Sequence, residues 1–333
     1  MKNLKDFSAY LAIPKTITIT THASPDADAL GSSLGLYHYL KKRGHDVYVI
    51  TPTDYPEFLN WMKGNDEVIV NSDKTIEKIK TIIDQSDLIC CLDFSSLNRI
   101  KNLGELIRNS DAKKLLVDHH LNPEHFADFE FWNQKAAATA ELIYDLIILL
   151  NGKDKIDSDM AECLYAGIMT DTGSFKHPST TSKIHRIVAE LIDLGANLNK
   201  VSRAIYDTNS LNRLRFIGYA LMEKLTINKK AKLAYFIINE EEHERFDLKS
   251  GDTEGLVNYA LSIKDIVIAA IIMEKNGEVK MSFRSVGDYE VNSFAESYFN
   301  GGGHKNAAGG ISFESLDDTV KKFKTLIPQI NPE

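Results

Sequence analysis

The fold is decided by residues 20–35, TTHASPDADALGSSLG. An apolar, β-branched run over 17–21 predicts a strand, His22 opens a short polar turn, and a glycine-containing helix begins near Ala29. His22, Asp26 and Asp28 thus place three ligand-type side chains within seven residues. A turn curled over a strand end brings such groups to one point, the geometry that a hard divalent cation needs.

Outward from that stretch the same pattern recurs. The helix over 30–43 is closed by Gly44, strand 46–50 follows, and 67–70 is short enough for an outer strand. A helix over 74–85 leads into the apolar run 88–92, which ends at Asp93; after a helix over 100–108, the run 114–117 ends at Asp118, His119 and His120. Repetition of strand, acidic residue and helix predicts an α/β domain, a mostly parallel sheet with helices on both faces. Ligands of such sheets bind beyond the carboxyl ends of the strands, where His22, Asp93 and Asp118 fall.

Further helices are expected over 136–150, ended by Asn151 and Gly152, and over 159–169, capped by Ser158 or Asp159 and delivering Asp171. Helices over 182–194, 198–206 and 211–225 come next. From Lys232 the pattern changes: strands are expected over 233–238, 266–274 and 278–284, the last two joined by a turn at 275–277, then a helix over 291–298, a glycine cluster, a strand near 311–313 and a helix over 317–326. This describes a smaller C-terminal α/β domain with a mixed sheet. The expected division is a first domain over 1–195, a helical linker over 196–225 and a second domain over 226–333.

Composition bounds the rest. With 333 residues, 43% of them hydrophobic, the chain supports two cores. Its net charge of -8, with both signs interspersed, argues against charge-driven binding to long duplex nucleic acid but leaves room for a small anion held by metals and a few local cations. The apolar segments 142–150 and 266–273 are too short to span a bilayer, and the N-terminal stretch has no signal-peptide core, so no membrane association is expected. Cys90, Cys91 and Cys163 lie in apolar surroundings without a CxxC pair, which reads as buried free thiols in a reducing, cytoplasmic compartment. The apolar stripes over 142–150 and 211–225 read as core or linker packing, with a homodimer face as the alternative.

His22, Asp26, Asp28, Asp93, Asp118, His119, His120 and Asp171 all fall at expected strand or helix ends. Taken singly, Asp93, Asp118 or Asp171 has an ordinary explanation as a cap or turn residue. Taken together, aspartates and histidines without cysteine favour manganese, magnesium or a similar ion over structural zinc. Carboxylates so crowded repel one another unless neutralised, and two cations about 3.5–4 Å apart relieve this while clamping a phosphoryl oxygen. In the second domain, Gly301, Gly302 and Gly303 read either as a tight turn or as backbone open to an anion, with Arg284 and His304 as added donors.

In their order these motifs resemble the DHH phosphoesterases: HASPDADALGSS at 22–33, CLDF at 91–94, VDHH at 117–120 and GIMTDTGSF at 167–175, then FRS at 283–285 and GGGHKNAAGG at 301–310 for the associated substrate-binding domain. The resemblance implies one metal held by His22, Asp26 and Asp93 and another held by Asp28, Asp93, His119 and Asp171, with Asp93 bridging. It implies that Asp118 fixes an imidazole tautomer and that His120 meets the scissile phosphate or its leaving group. Arg284, Ser285, Gly302, Gly303 and His304 would bind the far phosphate of the substrate. The implied cofactor is a pair of divalent cations, Mn2+ first, with Mg2+ or Co2+ as alternatives. The implied substrates are short RNA oligonucleotides, cut to nucleoside 5'-monophosphates, and small phosphorylated nucleotides such as 3'-phosphoadenosine 5'-phosphate, converted to AMP and phosphate. A cyclic or linear dinucleotide phosphodiesterase and a non-catalytic nucleotide-binding regulator are the alternatives. Inorganic pyrophosphatases also resemble the first motifs, but the glycine-rich histidine motif argues against that assignment.

Overall fold

The structure is a computed structural model and describes residues 1, 3–249, 251–275 and 277–330. It divides into two compact units, Met1–Thr208 and Asn209–Glu333.

The first unit runs α1 (Leu4–Tyr10), β1 (Thr16–Thr21), α2 (Ala27–Lys42), β2 (Asp46–Thr51), β3 (Val68–Val70), α3 (Ile76–Gln85), β4 (Leu88–Leu92), α4 (Leu103–Asn109), β5 (Lys113–Asp118), β6 (Phe129–Trp132), α5 (Thr139–Leu149), α6 (Ser158–Asp171), α7 (Ser182–Asp193) and α8 (Leu198–Tyr206). Its six strands are all parallel, in the order β3-β2-β1-β4-β5-β6. The chain builds outward from β1 to β3 and then returns to lay β4 against the other side of β1, with Ile17 opposite Leu88 and Thr21 opposite Leu92. Loops leaving β1 and β4 therefore part to opposite sides and open a crevice at the sheet's carboxyl edge.

Both central strands are buried on both faces: β4 is an unbroken apolar run, LICCL, and β1, TITITT, is β-branched throughout, with Thr18 and Thr20 buried on the face opposite Ile17 and Ile19. Successive side chains still alternate: Ile17, Ile19, Cys90 and Leu92 join one core with Leu30, Leu34, Leu146 and Leu164, while Ile89 and Cys91 join the other with Ile79, Ile83 and Leu103. The three cysteines are buried and unpaired, as expected.

Several boundaries differ from expectation. α6 is capped by Asp157, whose Oδ1 accepts from the Met160 amide at 3.0 Å, so neither Ser158 nor Asp159 is the cap. The helix expected over 100–108 is a short 3-10 turn, Leu97–Ile100, and then α4, interrupted at Lys101 by a φ of +54°. The helix expected from 136 starts at Thr139, after extended backbone at Ala138. α1 and the edge strand β6 had no counterpart in the sequence reading.

The second unit runs α9 (Leu211–Tyr219), continued by a π-helical turn at Ala220–Lys224, then β7 (Thr226–Asn228), β8 (Leu233–Ile238), α10 (Glu240–Arg245), α11 (Leu256–Leu261), β9 (Ile268–Lys275), β10 (Glu278–Ser285), α12 (Val291–Tyr298), β11 (Gly302–His304), β12 (Ala307–Ser312) and α13 (Leu316–Leu326). The sheet order is β11-β12-β10-β9-β8-β7, with β8 and β9 parallel and the other pairs antiparallel, a mixed sheet as expected. The glycine cluster is a hairpin of β11 and β12, and the strand expected near 311–313 begins earlier, at Ala307. The segment expected as a linker over 196–225 is shared, α8 lying in the first unit and α9 in the second. Position 276 of the expected turn at 275–277 and positions 331–333 lie outside the described residues. Among the described residues no helix is long and apolar enough to cross a membrane.

Candidate metal centre

Each ligand-type residue of the first unit is delivered by the end of an element. His22 follows β1, Asp93 follows β4, Asp118 closes β5, and His119 and His120 come directly after it. Asp26 caps α2, its Oδ1 accepting from the amides of Asp28 at 2.9 Å and Ala29 at 3.0 Å. Asp28 lies in the first turn of α2 and Asp171 is the last residue of α6. Glycines bring these two helices unusually close: a Cβ on Gly31 would sit 2.4 Å from the Cys163 carbonyl oxygen, and one on Gly167 would sit 2.6 Å from Asp28 Oδ1.

The side chains converge. His22 Nε2 is 3.4 Å from Asp93 Oδ2 and 4.0 Å from Asp26 Oδ2. His119 Nε2 is 3.5 Å from Asp93 Oδ1, 3.3 Å from Asp171 Oδ2 and 3.9 Å from Asp28 Oδ2. Asp93 therefore turns one oxygen to each group. The ligand atoms of His22, Asp26 and Asp93 all lie within 4.8 Å of one another, as do those of Asp28, His119 and Asp171. Tautomers are set by the backbone: Nδ1–H of His22 donates to the Ala23 carbonyl at 2.9 Å and Nδ1–H of His119 to the Ala136 carbonyl at 3.1 Å, so both rings present Nε2 to the centre.

Asp118 belongs to a different contact. Its Oδ1 accepts Nδ1–H of His120 at 2.8 Å, which orients that ring beside Asp93, whose Oδ1 is 3.6 Å from the same nitrogen. Asp118 is fully buried, and its Oδ2 has no hydrogen-bond partner among the described residues.

Charge here is crowded and out of water. Burial, with Asp93 and Asp171 beside it, pushes Asp28 well above the usual carboxylate range, against two amide donors that favour its ionised form. Burial likewise carries Asp171 up to about 6, against the pull of His119. At Asp93 burial acts upward too, but hydrogen bonds from His119 and His22 outweigh it and hold the carboxyl well below its ordinary value. His22 is the mirror case: burial lowers it, and Asp93 and Asp26 overcome that and raise it to about 9. Asp93 also has a φ of +65°, left-handed backbone that a non-glycine residue holds only where its surroundings impose it. The donor set of carboxylate oxygens and imidazole nitrogens fits a divalent cation of the Mn2+ or Mg2+ kind.

Residues outside the expected set complete the centre. The Thr139 amide donates to Asp28 Oδ2 at 2.6 Å and the Ala140 amide to Asp28 Oδ1 at 2.8 Å, so the start of α5 holds a carboxylate borne by α2. The Thr139 hydroxyl donates to Asp93 Oδ1 at 2.8 Å. Trp132 on β6 donates Nε1–H to the His120 carbonyl at 2.7 Å. A threonine just ahead of the largely apolar stretch 142–150 was the available signal for this helix start.

In the second unit Arg284 and Ser285 end β10, where Arg284 pairs with Ala307 of β12 and His304 of β11 faces the same Ala307. Gly303 has a φ of +145°, and a Cβ there would lie 2.4 Å from the Ala307 carbonyl oxygen, so only glycine fits this hairpin. Gly302 pairs with Gly309 on the same ladder. Ser285 is buried, donating Oγ–H to the Tyr289 carbonyl at 2.7 Å and accepting from Asn306 Nδ2 at 2.8 Å. Its hydroxyl thus holds the turn after β10.

The chain is similar to known proteins over nearly its whole length. The DHH family N-terminal domain matches residues 16–168 and the DHHA1 domain matches residues 228–329. The bifunctional oligoribonuclease and PAP phosphatase NrnA of Bacillus subtilis is 27% identical over 321 residues, 95% of this chain and 96% of that protein. The crystal structure of an exopolyphosphatase-related protein from Bacteroides fragilis superimposes with a TM-score of 0.92 at 37% identity, covering 98% of this chain and 95% of the other. Exonuclease RecJ bound to manganese shares the fold, with a TM-score of 0.52 at 14% identity over 99% of this chain and 96% of its own. With both domain signatures in order and a relative so similar over nearly the whole length, the chain belongs to the DHH family and is a metal-dependent hydrolase.

Proposed function

We propose that this protein is a manganese-dependent phosphoesterase that hydrolyses short oligoribonucleotides to nucleoside 5'-monophosphates and converts 3'-phosphoadenosine 5'-phosphate to AMP and phosphate. The observation that carries the reading is Asp93, one carboxylate whose two oxygens face two separate ligand sets. The substrate class rests on the NrnA relative, similar over the full length of both chains, and the metal on the donor chemistry and on RecJ, which binds manganese.

His22, Asp26 and Asp93 would hold one cation, and Asp28, Asp93, His119 and Asp171 the other. When bound, such a pair neutralises the carboxylates, activates water and stabilises negative charge on phosphoryl oxygens. The chain's own residues do the remainder. Asp118 takes Nδ1–H of His120 and so directs that ring's Nε2 at the substrate, where it can hold a proton for the departing oxygen. Asp26 and the amides at the start of α2 hold one side of the crevice rigid. Arg284, Ser285, His304 and the backbone of Gly302 and Gly303 would grip a phosphate of the substrate.

A grip of that kind suits short substrates, and a chain of net charge -8 offers no long basic track. The test is a hydrolysis panel with Mn2+: RNAs of two to about five nucleotides and 3'-phosphoadenosine 5'-phosphate should turn over faster than long RNA. Cyclic di-AMP, polyphosphate and pyrophosphate complete the panel. Faster cleavage of any of those three, or equal cleavage of long and short RNA, would overturn the assignment.

A further inference from the structure

We infer that Thr139 is the positioning residue of the centre, fixing the shared carboxylate of Asp93 and thereby the second of the two metal positions. This rests on the dinuclear reading above. Thr139 is fully buried at the first turn of α5, where no side chain caps the helix. Its two polar contacts go to two different aspartates, the hydroxyl to Asp93 Oδ1 at 2.8 Å and the amide to Asp28 Oδ2 at 2.6 Å.

Both contacts bear on one side of the centre. Asp93 Oδ1 is the oxygen that faces His119, and Asp28 lies in the same group as His119 and Asp171. The oxygen toward His22, Oδ2, is a different atom. A carboxylate joined to the backbone at a φ of +65° has its main chain fixed, but rotation about its side-chain bonds would swap or tilt the two oxygens. A donated hydrogen bond to Oδ1 removes that freedom while leaving the oxygen a second lone pair for a cation. Threonine suits the task because branching at Cβ restricts χ1, so the hydroxyl is aimed before any metal arrives.

The segment bearing Thr139 is itself anchored. Glu141 Oε2 accepts the Ala137 amide at 2.7 Å, and Lys183 of α7 donates to Glu141 Oε1 at 2.8 Å. Ala136, one residue further back, supplies the carbonyl that sets the His119 tautomer. Three residues of one segment, Ala136, Thr139 and Ala140, therefore orient three of the residues around the second position: His119, Asp28 and Asp93.

The test is Mn2+ binding to the metal-stripped full chain, followed by calorimetry and by electron paramagnetic resonance, with Thr139→Val and Thr139→Ser compared. Wild type should take up two ions with spin coupling between them. Thr139→Val keeps the amide and the shape but loses the hydroxyl, and should weaken the second ion roughly 10–100-fold while leaving the first nearly unchanged, with loss of the coupled signal. Thr139→Ser should restore both. Thr139→Ala reads the same loss if the valine variant does not fold. Unchanged affinities and coupling in the variants lacking the hydroxyl would overturn the inference. Failure of wild type to bind two ions would instead remove the dinuclear centre, and this inference with it.

Discussion

Gly167→Ala is the sharpest probe of how the helices place the carboxylates. The added Cβ would stand 2.6 Å from Asp28 Oδ1 and 2.7 Å from Ala140 Cβ, so it meets both members of the contact between α2 and α5. Asp28 Oδ1 must retreat by more than half an ångström, and the Ala140 amide that donates to it at 2.8 Å cannot follow, being fixed in α5. Overpacking of this kind costs about 1–3 kcal/mol, and weakening a hydrogen bond to a charged group adds part of another 1.5–3 kcal/mol, so a total of roughly 2–4 kcal/mol is expected. At about 2–4 °C per kcal/mol for a unit of this size, the melting temperature should fall by roughly 5–15 °C. Gly35→Ala is the control: the three atoms nearest its Cβ all belong to the side chain of Leu164, Cδ2 at 2.7 Å and Cγ at 3.1 Å the closest, and none to a carboxylate. The assay is thermal unfolding together with Mn2+ titration, and Gly167→Ala should also lose affinity for the ion held by Asp28. Gly167→Ala melting and binding like Gly35→Ala would refute the claim that this glycine sets the carboxylate.

Chelation should destabilise the protein measurably, because cations bound to the folded state at about 100 times their dissociation constant contribute roughly 2.7 kcal/mol; a melting temperature indifferent to a strong chelator would contradict the proposed metal pair. Asp93→Ala should abolish turnover and leave at most one bound ion, and near-normal activity in that variant would remove Asp93 from the shared role. Stability should also carry an acid limb from Glu124, whose carboxyl is held below its usual range by the Arg108 guanidinium at 2.6 Å. A carboxyl lowered in the folded state contributes fully above its unfolded value, about 4.3, and loses that contribution as pH falls through the folded value, so Glu124→Gln should flatten the denaturation profile below about pH 4.3. Gly303→Ala should open the β11–β12 hairpin, since its Cβ would lie 2.4 Å from a backbone oxygen at a φ of +145°; circular dichroism and proteolysis of that variant should report the loss.

The parallel sheet was legible because its central strands carry β-branched or apolar stretches that stop at His22, Asp93 and Asp118, and a strand end is a local event. The convergence of those ends followed from topology alone, since parallel strands discharge at one edge. β6 was missed because Phe129–Trp132 is a short, half-buried edge strand whose alternation is too brief to register. Thr139 was missed for a different reason. Its value lies in contacts to residues 46 and 111 positions away, and no local pattern encodes a helix start that holds another helix's carboxylate. The strands at 302–304 and from 307 were read only as a glycine cluster ahead of a strand near 311–313, because glycine is depleted in strands generally, whereas here close backbone approach requires it.

The two helices explain why the ligands can be so crowded without the fold giving way. A carboxylate at the start of α2 and another at the end of α6 repel, yet glycine at 31 and 167 locks the helices at a separation that neither side chain can relax. The core beneath them, from Leu30 and Leu34 to Leu164 and Ile168, supplies apolar burial that a local charge conflict of a few kcal/mol does not reverse. The conflict then remains at the crevice, where the neighbouring aspartates hold the His22 and His119 imidazoles above their ordinary values despite burial. A pair of divalent cations held by these carboxylates and imidazoles would relieve it more fully, by supplying positive charge that several aspartates share. Rigid packing below and unresolved charge above are therefore one device: the same glycines that prevent the aspartates from separating keep the centre preorganised for metal.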